Sequence, residues 1–103
     1  MKILLWCHDL MTRMRLESAW KAVGVTMLKR NSTEVPDCIV IDLGNSRALE
    51  QIRELRAAHP QVDIIAFGAQ LDSDTFRQAQ EAGATDIAAS GSIEHRVTRR
   101  LSN

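Results

Sequence analysis

The sequence predicts an α/β fold in which helices cover both faces of a parallel sheet. Five short runs are almost continuously apolar, as strands buried on both faces are. Segments with helical periodicity lie between most of these runs, which is the pattern of a repeating βα chain. The runs are residues 3–6, 25–28, 38–41, 64–67 and 87–89. With 103 residues, the chain has the length of a single domain, and we expect one domain over residues 1–103.

Composition limits the classes of partner. The formal net charge is zero, so no overall field attracts nucleic acid or an anionic membrane, and we expect neither as a partner. The N-terminal apolar run is interrupted by His8 and Asp9 before it reaches the length of a signal peptide or a membrane span. Cys7 and Cys38 lie in or beside apolar runs, which favours reduced core thiols over a disulfide. We therefore expect a cytoplasmic protein.

The first predicted helix follows the first strand. Asp9 stands directly before it and is most simply its N-cap. Charged side chains alternate with apolar ones at roughly helical spacing, so the helix should be amphipathic. Its apolar positions are Leu10, Met14, Leu16, Ala19, Trp20 and Val23.

Three further helices are predicted from their stripes and end signals. The second enters through Asn45 and Ser46 and stops at His59 and Pro60. Its stripe is Ala48, Leu49, Ile52, Leu55 and Ala58. The third begins at Asp72-Ser73, turns Phe76 and Ala79 inward and ends at Gly83. The last begins near Ser92 and uses Ile93, Val97 and Leu101 at four-residue intervals.

The connection between the second and third strands is unusual. A crossover between parallel strands normally needs about a dozen residues. Residues 30–37 are fewer and polar, and they include Pro36. We therefore expect this crossover helix to be shortened or absent, or the second strand to pair unconventionally.

Asp42 is the leading candidate for chemistry. It ends the third apolar run, and ligands of open parallel sheets bind at the carboxyl ends of the strands. A carboxylate there is a candidate nucleophile or metal ligand. The other strand ends carry Cys7, His8, Gly68 and Ser90.

Four stretches of the chain carry a family resemblance, namely residues 2–6, 37–42, 59–65 and 81–86. In the last stretch, Ala82-Gly83-Ala84 stops a helix before a final strand. Together the four stretches resemble the receiver domain of two-component response regulators over nearly the whole chain. The resemblance implies a flavodoxin-like sheet with strand order 2-1-3-4-5 and a site at the carboxyl ends of its strands.

The resemblance also implies positions for a phosphorylation site. Receivers hold Mg²⁺ with two acids after the first strand and with the phosphoacceptor Asp after the third. A hydroxyl after the fourth strand and a lysine after the fifth contact the phosphoryl group. Asp42 matches the phosphoacceptor. The acid pair falls on Cys7 and His8, with Asp9 one place late. The hydroxyl position falls on Gly68 and the lysine position on Ser90.

These departures predict a degenerate receiver. Phosphoryl transfer to a carboxylate depends on neutralising crowded negative charge, and most of the neutralising groups are replaced. We expect a stand-alone, non-enzymatic signalling module that binds another signalling protein, with a second copy of itself as a further candidate partner. No cofactor is required by this hypothesis. The alternative is an atypical regulator phosphorylated on Asp42, with Mg²⁺ held by Asp9 and Asp42.

A second alternative uses Cys7. Cys7 and Arg13 have the C-x₅-R spacing of phosphotyrosine phosphatases, in which a low-pKa thiolate and an arginine bind phosphate. This would make the protein a Cys7-dependent phosphatase or phosphocarrier. The loop between them lacks glycine, and Asp9 would repel phosphate.

Two surfaces are candidates for binding a partner. Partners of receivers dock around the first helix or the last strand and helix, so exposure of Leu10, Met11 and Met14 would favour an interaction face. Arg96, Arg99 and Arg100 are most simply a solvated helix end, and they could instead dock an acidic partner.

Overall fold

The computed structural model describes residues 1–69 and 72–101, except the side chain of Leu101. The elements alternate as predicted. The strands are β1 (Lys2–Trp6), β2 (Thr26–Leu28), β3 (Cys38–Asp42), β4 (Asp63–Gly68) and β5 (Asp86–Ala89). The helices are α1 (Leu10–Ala22), α2 (Ala48–Ala58), α3 (Ser73–Ala82) and α4 (Ile93–Leu101). The predicted inward position of Leu101 lies outside the described side chains.

The strands form one parallel sheet in the order β2-β1-β3-β4-β5. This is the order that the resemblance to receivers implies, and it confirms the predicted fold class. In the register of the central strands, Leu5 pairs with Val40 and Val40 with Ile65. Because every pairing is parallel, the carboxyl ends of all five strands lie at one edge of the sheet.

Alternate residues of each strand enter two separate cores, as they must when both faces are covered. On one face, α1 and α4 pack through Leu16, Trp20, Ile93 and Val97. On the other face, α2 and α3 pack through Ile52, Leu55, Ala79 and Ala82. The interiors of β1, β3, β4 and β5 are therefore buried, whereas the edge strand β2 is only half-buried. Both cysteines are buried thiols within the first core, as predicted, and burial raises the pKa of Cys38 to about 12.

The predicted apolar stripe of α1 is only partly correct. Leu16 and Trp20 are buried, whereas Leu10 and Met14 are 61% and 57% exposed, and Val23 is also exposed. With about 3.6 residues per turn, positions 10 and 14 lie roughly 100° or more around the helix from the seam through positions 16 and 20. These apolar side chains therefore face away from the sheet.

The prediction that Phe76 points inward is wrong, because its side chain is 42% exposed. The seam of α3 runs through Ala79 and Ala82, with Thr75 half-buried above them. Phe76 lies roughly a quarter turn from that seam. The small residues of the seam allow α3 to approach the sheet closely, and the aromatic ring is left at the margin.

The helix ends follow local hydrogen bonding. Asp9 and Asp72 are N-caps as predicted, accepting from the N–H groups of Thr12 and Thr75 at 3.1 and 2.8 Å. Gly83 ends α3 with φ +125°, a conformation that favours glycine. The predicted entry to α2 is wrong by about two residues: the helix begins at Ala48 with Arg47 as its cap residue. Asn45 instead accepts from the N–H of Arg47 at 3.1 Å, within the preceding turn.

The crossover helix between β2 and β3 is absent, as predicted. Residues 29–37 connect the strands through turns. Asp37 accepts from the N–H of Lys2 at 2.7 Å, which fixes the return to the sheet. The Arg30 guanidinium lies 4.7 Å from the centre of the Trp6 ring, so an arginine covers part of the strand that a helix would otherwise cover.

Across residues 1–69 and 72–101, every helix is too short or too polar to cross a membrane.

Arg56 joins the loop after α2 to the loop after α3. Its guanidinium donates to the carbonyl oxygen of Gly83 at 2.8 and 3.0 Å and to the Thr85 hydroxyl at 3.0 Å. It also donates to the carbonyl oxygens of His59, Pro60 and Val62. One half-buried side chain therefore satisfies acceptors from both loops that enter β4 and β5.

We expect Arg56→Ala to lower the free energy of unfolding by about 2–3 kcal/mol, because it leaves several carbonyl groups without their hydrogen-bond donor. Urea denaturation followed by circular dichroism measures this loss. Arg53→Ala, on the exposed side of the same helix, should change the free energy by less than about 0.5 kcal/mol. Equal losses in the two variants would contradict the role of Arg56.

Candidate functional site

The predicted site positions gather at the carboxyl edge of the sheet. Trp6 pairs with Ile41, so the residues that follow them, Cys7 and Asp42, come together. The Cys7 Sγ lies 3.7 Å from the Asp42 Oδ2. At the neighbouring strand ends, the N–H of Ser90 donates to the carbonyl oxygen of Gly68 at 2.9 Å. The backbone thus builds the edge at which the resemblance locates a phosphorylation site.

The half-buried carboxylate of Asp42 accepts hydrogen bonds from the protein at both oxygens. The N–H of Gly44 donates to Oδ1 at 2.8 Å, closing a tight turn after β3. The Cys7 thiol has two acceptors for its single proton, Oδ2 of Asp42 at 3.7 Å and the carbonyl oxygen of Asp9 at 3.6 Å. A Cβ atom on residue 44 would lie 3.1 Å from Oδ1, so glycine permits the close approach. Asp42 therefore contributes to the local structure of the loop that follows it.

Cys7 is a neutral thiol in this environment. It is only 1% exposed. Burial raises the pKa of its thiol, and the negative charge of Asp42 raises it further. A thiolate nucleophile needs the opposite shift.

Arg13, the other member of the C-x₅-R pair, lies on α1. Its Nε is 3.2 Å from the carboxylate of Glu17, four residues further along the same exposed helix face. The arginine that would bind an oxyanion therefore has a carboxylate partner already. The arrangement around Cys7 and Arg13 thus favours a structural thiol and a surface ion pair.

Asp9 acts as the N-cap of α1. Its carboxylate accepts from both the N–H and the hydroxyl of Thr12. These hydrogen bonds lower the pKa of Asp9. Both contacts orient the carboxylate toward the first turn of the helix, in keeping with the capping interpretation of the sequence.

His8 makes a contact that sequence reasoning missed. Its Nε2 lies 2.7 Å from the Asn45 Nδ2, which is also 3.2 Å from the Gln51 Oε1. The amide of Asn45 therefore joins the loop after β1 to the loop after β3. Asn45 is a typical turn residue in the sequence, but its partner depends on how two separate loops fold.

The side chains at this edge supply few of the oxygen ligands that Mg²⁺ prefers. Receiver domains generally bind Mg²⁺ at this position, so the ion is compatible with the fold. Mg²⁺ prefers octahedral oxygen ligands, usually more than one carboxylate with waters and phosphate oxygens. Here Asp42 is flanked by a protonated thiol, and Asp9 is bound to Thr12. Within the described residues, no group of three or more His, Cys, Asp and Glu side chains could hold a metal ion.

The sheet order, the two helical layers and the edge at Asp42 define the class of fold: the chain has the fold of response regulator receiver domains. It matches a response regulator from Thermotoga maritima with a TM-score of 0.78 and 19% identity, over 99% of this chain and 98% of that one. It matches a CheY-like receiver domain protein from Methanospirillum hungatei with a TM-score of 0.82 and 11% identity, over 98% and 93%. A receiver protein from Pseudoalteromonas atlantica gives a TM-score of 0.79 and 18% identity, over 99% and 94%.

No model of a known protein family matches the chain, and no curated protein matches it significantly. The structural matches cover whole receiver domains at low identity, so they establish the fold. The function of the site has to be argued from its own side chains.

The raised pKa of Cys7 gives a test by alkylation. We expect iodoacetamide to modify Cys7 at least about tenfold more slowly than a free thiol at about pH 7.5, with a rate that continues to increase above about pH 9. Mass spectrometry of the Cys38→Ser variant isolates the reaction at Cys7. Rapid modification with a midpoint below about pH 7 would indicate a thiolate and support the phosphatase hypothesis.

Proposed function

We propose that this receiver-like domain is a signalling module that acts by binding another protein, without ordinary phosphorylation of Asp42. The receiver fold supports a role in signalling. The absence of phosphorylation and the mode of action are our inferences from the side chains at the strand ends and on α1.

The chemistry at Asp42 supports the first part of the proposal. A carboxylate that attacks a phosphoryl group concentrates negative charge, and positioned cations and hydrogen-bond donors must offset it. The corresponding positions hold Cys7, His8, Gly68 and Ser90. Gly68 brings no hydroxyl group and Ser90 no ammonium group. The atypical phosphoacceptor using Asp42, Asp9 and Mg²⁺ is therefore the less favoured alternative.

The observation that carries the second part is an exposed apolar patch on α1. Leu10, Met11 and Met14 are 61%, 79% and 57% exposed and lie on the same side of the first turns of the helix. We call these three residues the α1 patch. Flexible methionine side chains are common on surfaces that bind other proteins. The α1 patch begins directly after Asp9, so a partner docked there lies beside the Asp42 edge.

A phosphoryl donor tests the first part. We expect no gain of a phosphoryl group when the protein is incubated with Mg²⁺ and acetyl phosphate or phosphoramidate, because the neutralising groups are replaced. Intact mass spectrometry measures the product. A gain that disappears in Asp42→Asn would contradict the proposal and establish the atypical phosphoacceptor.

A restored variant makes the negative result informative. His8→Asp, Gly68→Ser and Ser90→Lys together return a carboxylate, a hydroxyl and an ammonium group to the site. If this variant is phosphorylated and the unmodified chain is not, the residues at these three positions explain why Asp42 is not phosphorylated in the unmodified chain. The same samples can be assayed with an aryl phosphate, and hydrolysis abolished by Cys7→Ser would favour the phosphatase alternative.

The α1 patch can be tested by affinity capture from the source cells. We expect a specific protein partner to be retained by the unmodified chain and lost, by about tenfold or more, in Met11→Glu/Met14→Glu, since charge is costly in an apolar interface. Val23→Glu/Val35→Glu adds the same charge at exposed apolar sites outside the patch and serves as the matched control. Equal capture by both variants would contradict the assignment of the α1 patch as the binding surface. Sedimentation of the pure protein shows whether the partner is a second copy of the chain or a different protein.

A further inference from the structure

A groove lies between α1 and the β2 edge of the sheet, and at one end it reaches Cys7 and His8, next to the Asp42 carboxylate. Its volume is about 500 Å³, within the usual range of small-molecule sites. Leu5, Cys7 and Met27 form an apolar floor. Leu5 and Cys7 are buried, and Met27 is half-buried. Because Leu5 and Cys7 are almost fully buried, an apolar part of a ligand would contact mainly Met27.

The walls of this groove are strongly cationic. Arg13 and Lys21 stand on the α1 side, with Glu17 between them, and Lys29 and Arg30 follow β2 on the other side. Four basic groups and one acidic group leave a net charge of three positive. The chain as a whole has none. A ligand that fits this groove should therefore be negatively charged.

Most of this positive charge is not offset by the protein. Glu17 pairs with Arg13 at 3.2 Å. In residues 1–69 and 72–101, the ammonium groups of Lys21 and Lys29 form no ion pair. Arg30 lines the groove, and its guanidinium also lies 4.7 Å from the Trp6 ring, which packs against the core on the other face of the sheet and carries no neutralising charge. Like charges held around one concavity repel one another, and an anion bound between them relieves that repulsion.

The spacing of the cations indicates the shape of the anion. Arg13, Glu17 and Lys21 follow one another at four-residue intervals on one face of α1. The rise per residue places Arg13 and Lys21 about 12 Å apart along the helix axis. Because Arg13 is paired with Glu17 at 3.2 Å, the cations left for a ligand are Lys21 on this wall and Lys29 and Arg30 on the other, and several linked phosphates can contact more of them than a single phosphate can.

We propose that this groove binds a small organic polyphosphate of nucleotide size, such as a nucleoside di- or triphosphate. Lys21, Lys29 and Arg30 bind the phosphates, and the organic group lies on Met27. The cations that bind the phosphates lie on α1 and after β2, so the proposal does not depend on phosphorylation of Asp42, although the groove reaches Cys7 beside that residue.

A titration with a fluorescent methylanthraniloyl derivative of ATP tests the proposal. We expect saturable binding that weakens as salt is raised. Lys21→Gln/Lys29→Gln should raise the Kd by roughly tenfold or more, because each substitution removes a charged phosphate contact. Arg53→Gln/Arg99→Gln removes the same charge from exposed positions outside the groove and should change the Kd by less than about twofold. Circular dichroism verifies that both variants are folded.

Competition experiments distinguish the source of the affinity. We expect unlabelled ATP to displace the probe more effectively than inorganic tripolyphosphate, since only ATP has a group for the apolar floor. Equal displacement by the two would overturn the assignment of an organic ligand. Absence of saturable binding, equal weakening in both double variants, or stronger displacement by hexaglutamate than by ATP would each overturn the proposal, the last in favour of an acidic peptide.

Discussion

The burial of both faces of the parallel sheet is the constraint on which the rest of this structure depends. A strand covered on both sides can expose its functional groups only at its ends, so the fold itself directs chemistry to the edge that holds Asp42. Four helices provide most of the cover, through two cores that interleave along every strand. The connection from β2 to β3 contributes no helix, and there Arg30 lies over Trp6 as partial cover. The sheet is therefore least covered at its β2 edge, and the cationic groove lies beside that edge.

This constraint explains which parts of the fold were predictable from sequence. Continuous apolar runs mark strands buried on both faces, and caps such as Asp9, Asp72 and Gly83 mark helix ends by local hydrogen bonding alone. The short connection before β3 predicted the missing helix because chain length limits what a crossover can contain. The inward position of Phe76 was wrong because a quarter turn around a helix decides burial, and small residues elsewhere can form the seam. Periodicity defines a helix more firmly than it defines the buried face.

The candidate site was predictable in position and less so in contacts. Once the strands are predicted, the residues that follow them are known. Because the resemblance implies that the first and third strands are neighbours, Cys7 and Asp42 could be expected to lie close together. The contact between His8 and Asn45 depends on the paths of two loops, which no local pattern specifies. The cationic groove combines residues of α1 with residues after β2. Its charged residues come from separate stretches of a chain whose net charge is zero, so the composition does not predict the groove.

The presence of Asp42 at the expected strand end is weak support for phosphoryl transfer. Its carboxylate accepts from the N–H of Gly44 and from the Cys7 thiol, and those contacts shape the turn that leads to α2. An aspartate therefore has a structural use at this position that needs neither a metal ion nor a phosphoryl group. Reactivity depends instead on the groups around it, because a carboxylate attacks phosphorus only when neighbouring cations offset the gathering negative charge. Among the residues that the structure describes, Lys21 on α1 and Lys29 after β2 form no ion pair, and these cations line the groove and do not surround Asp42.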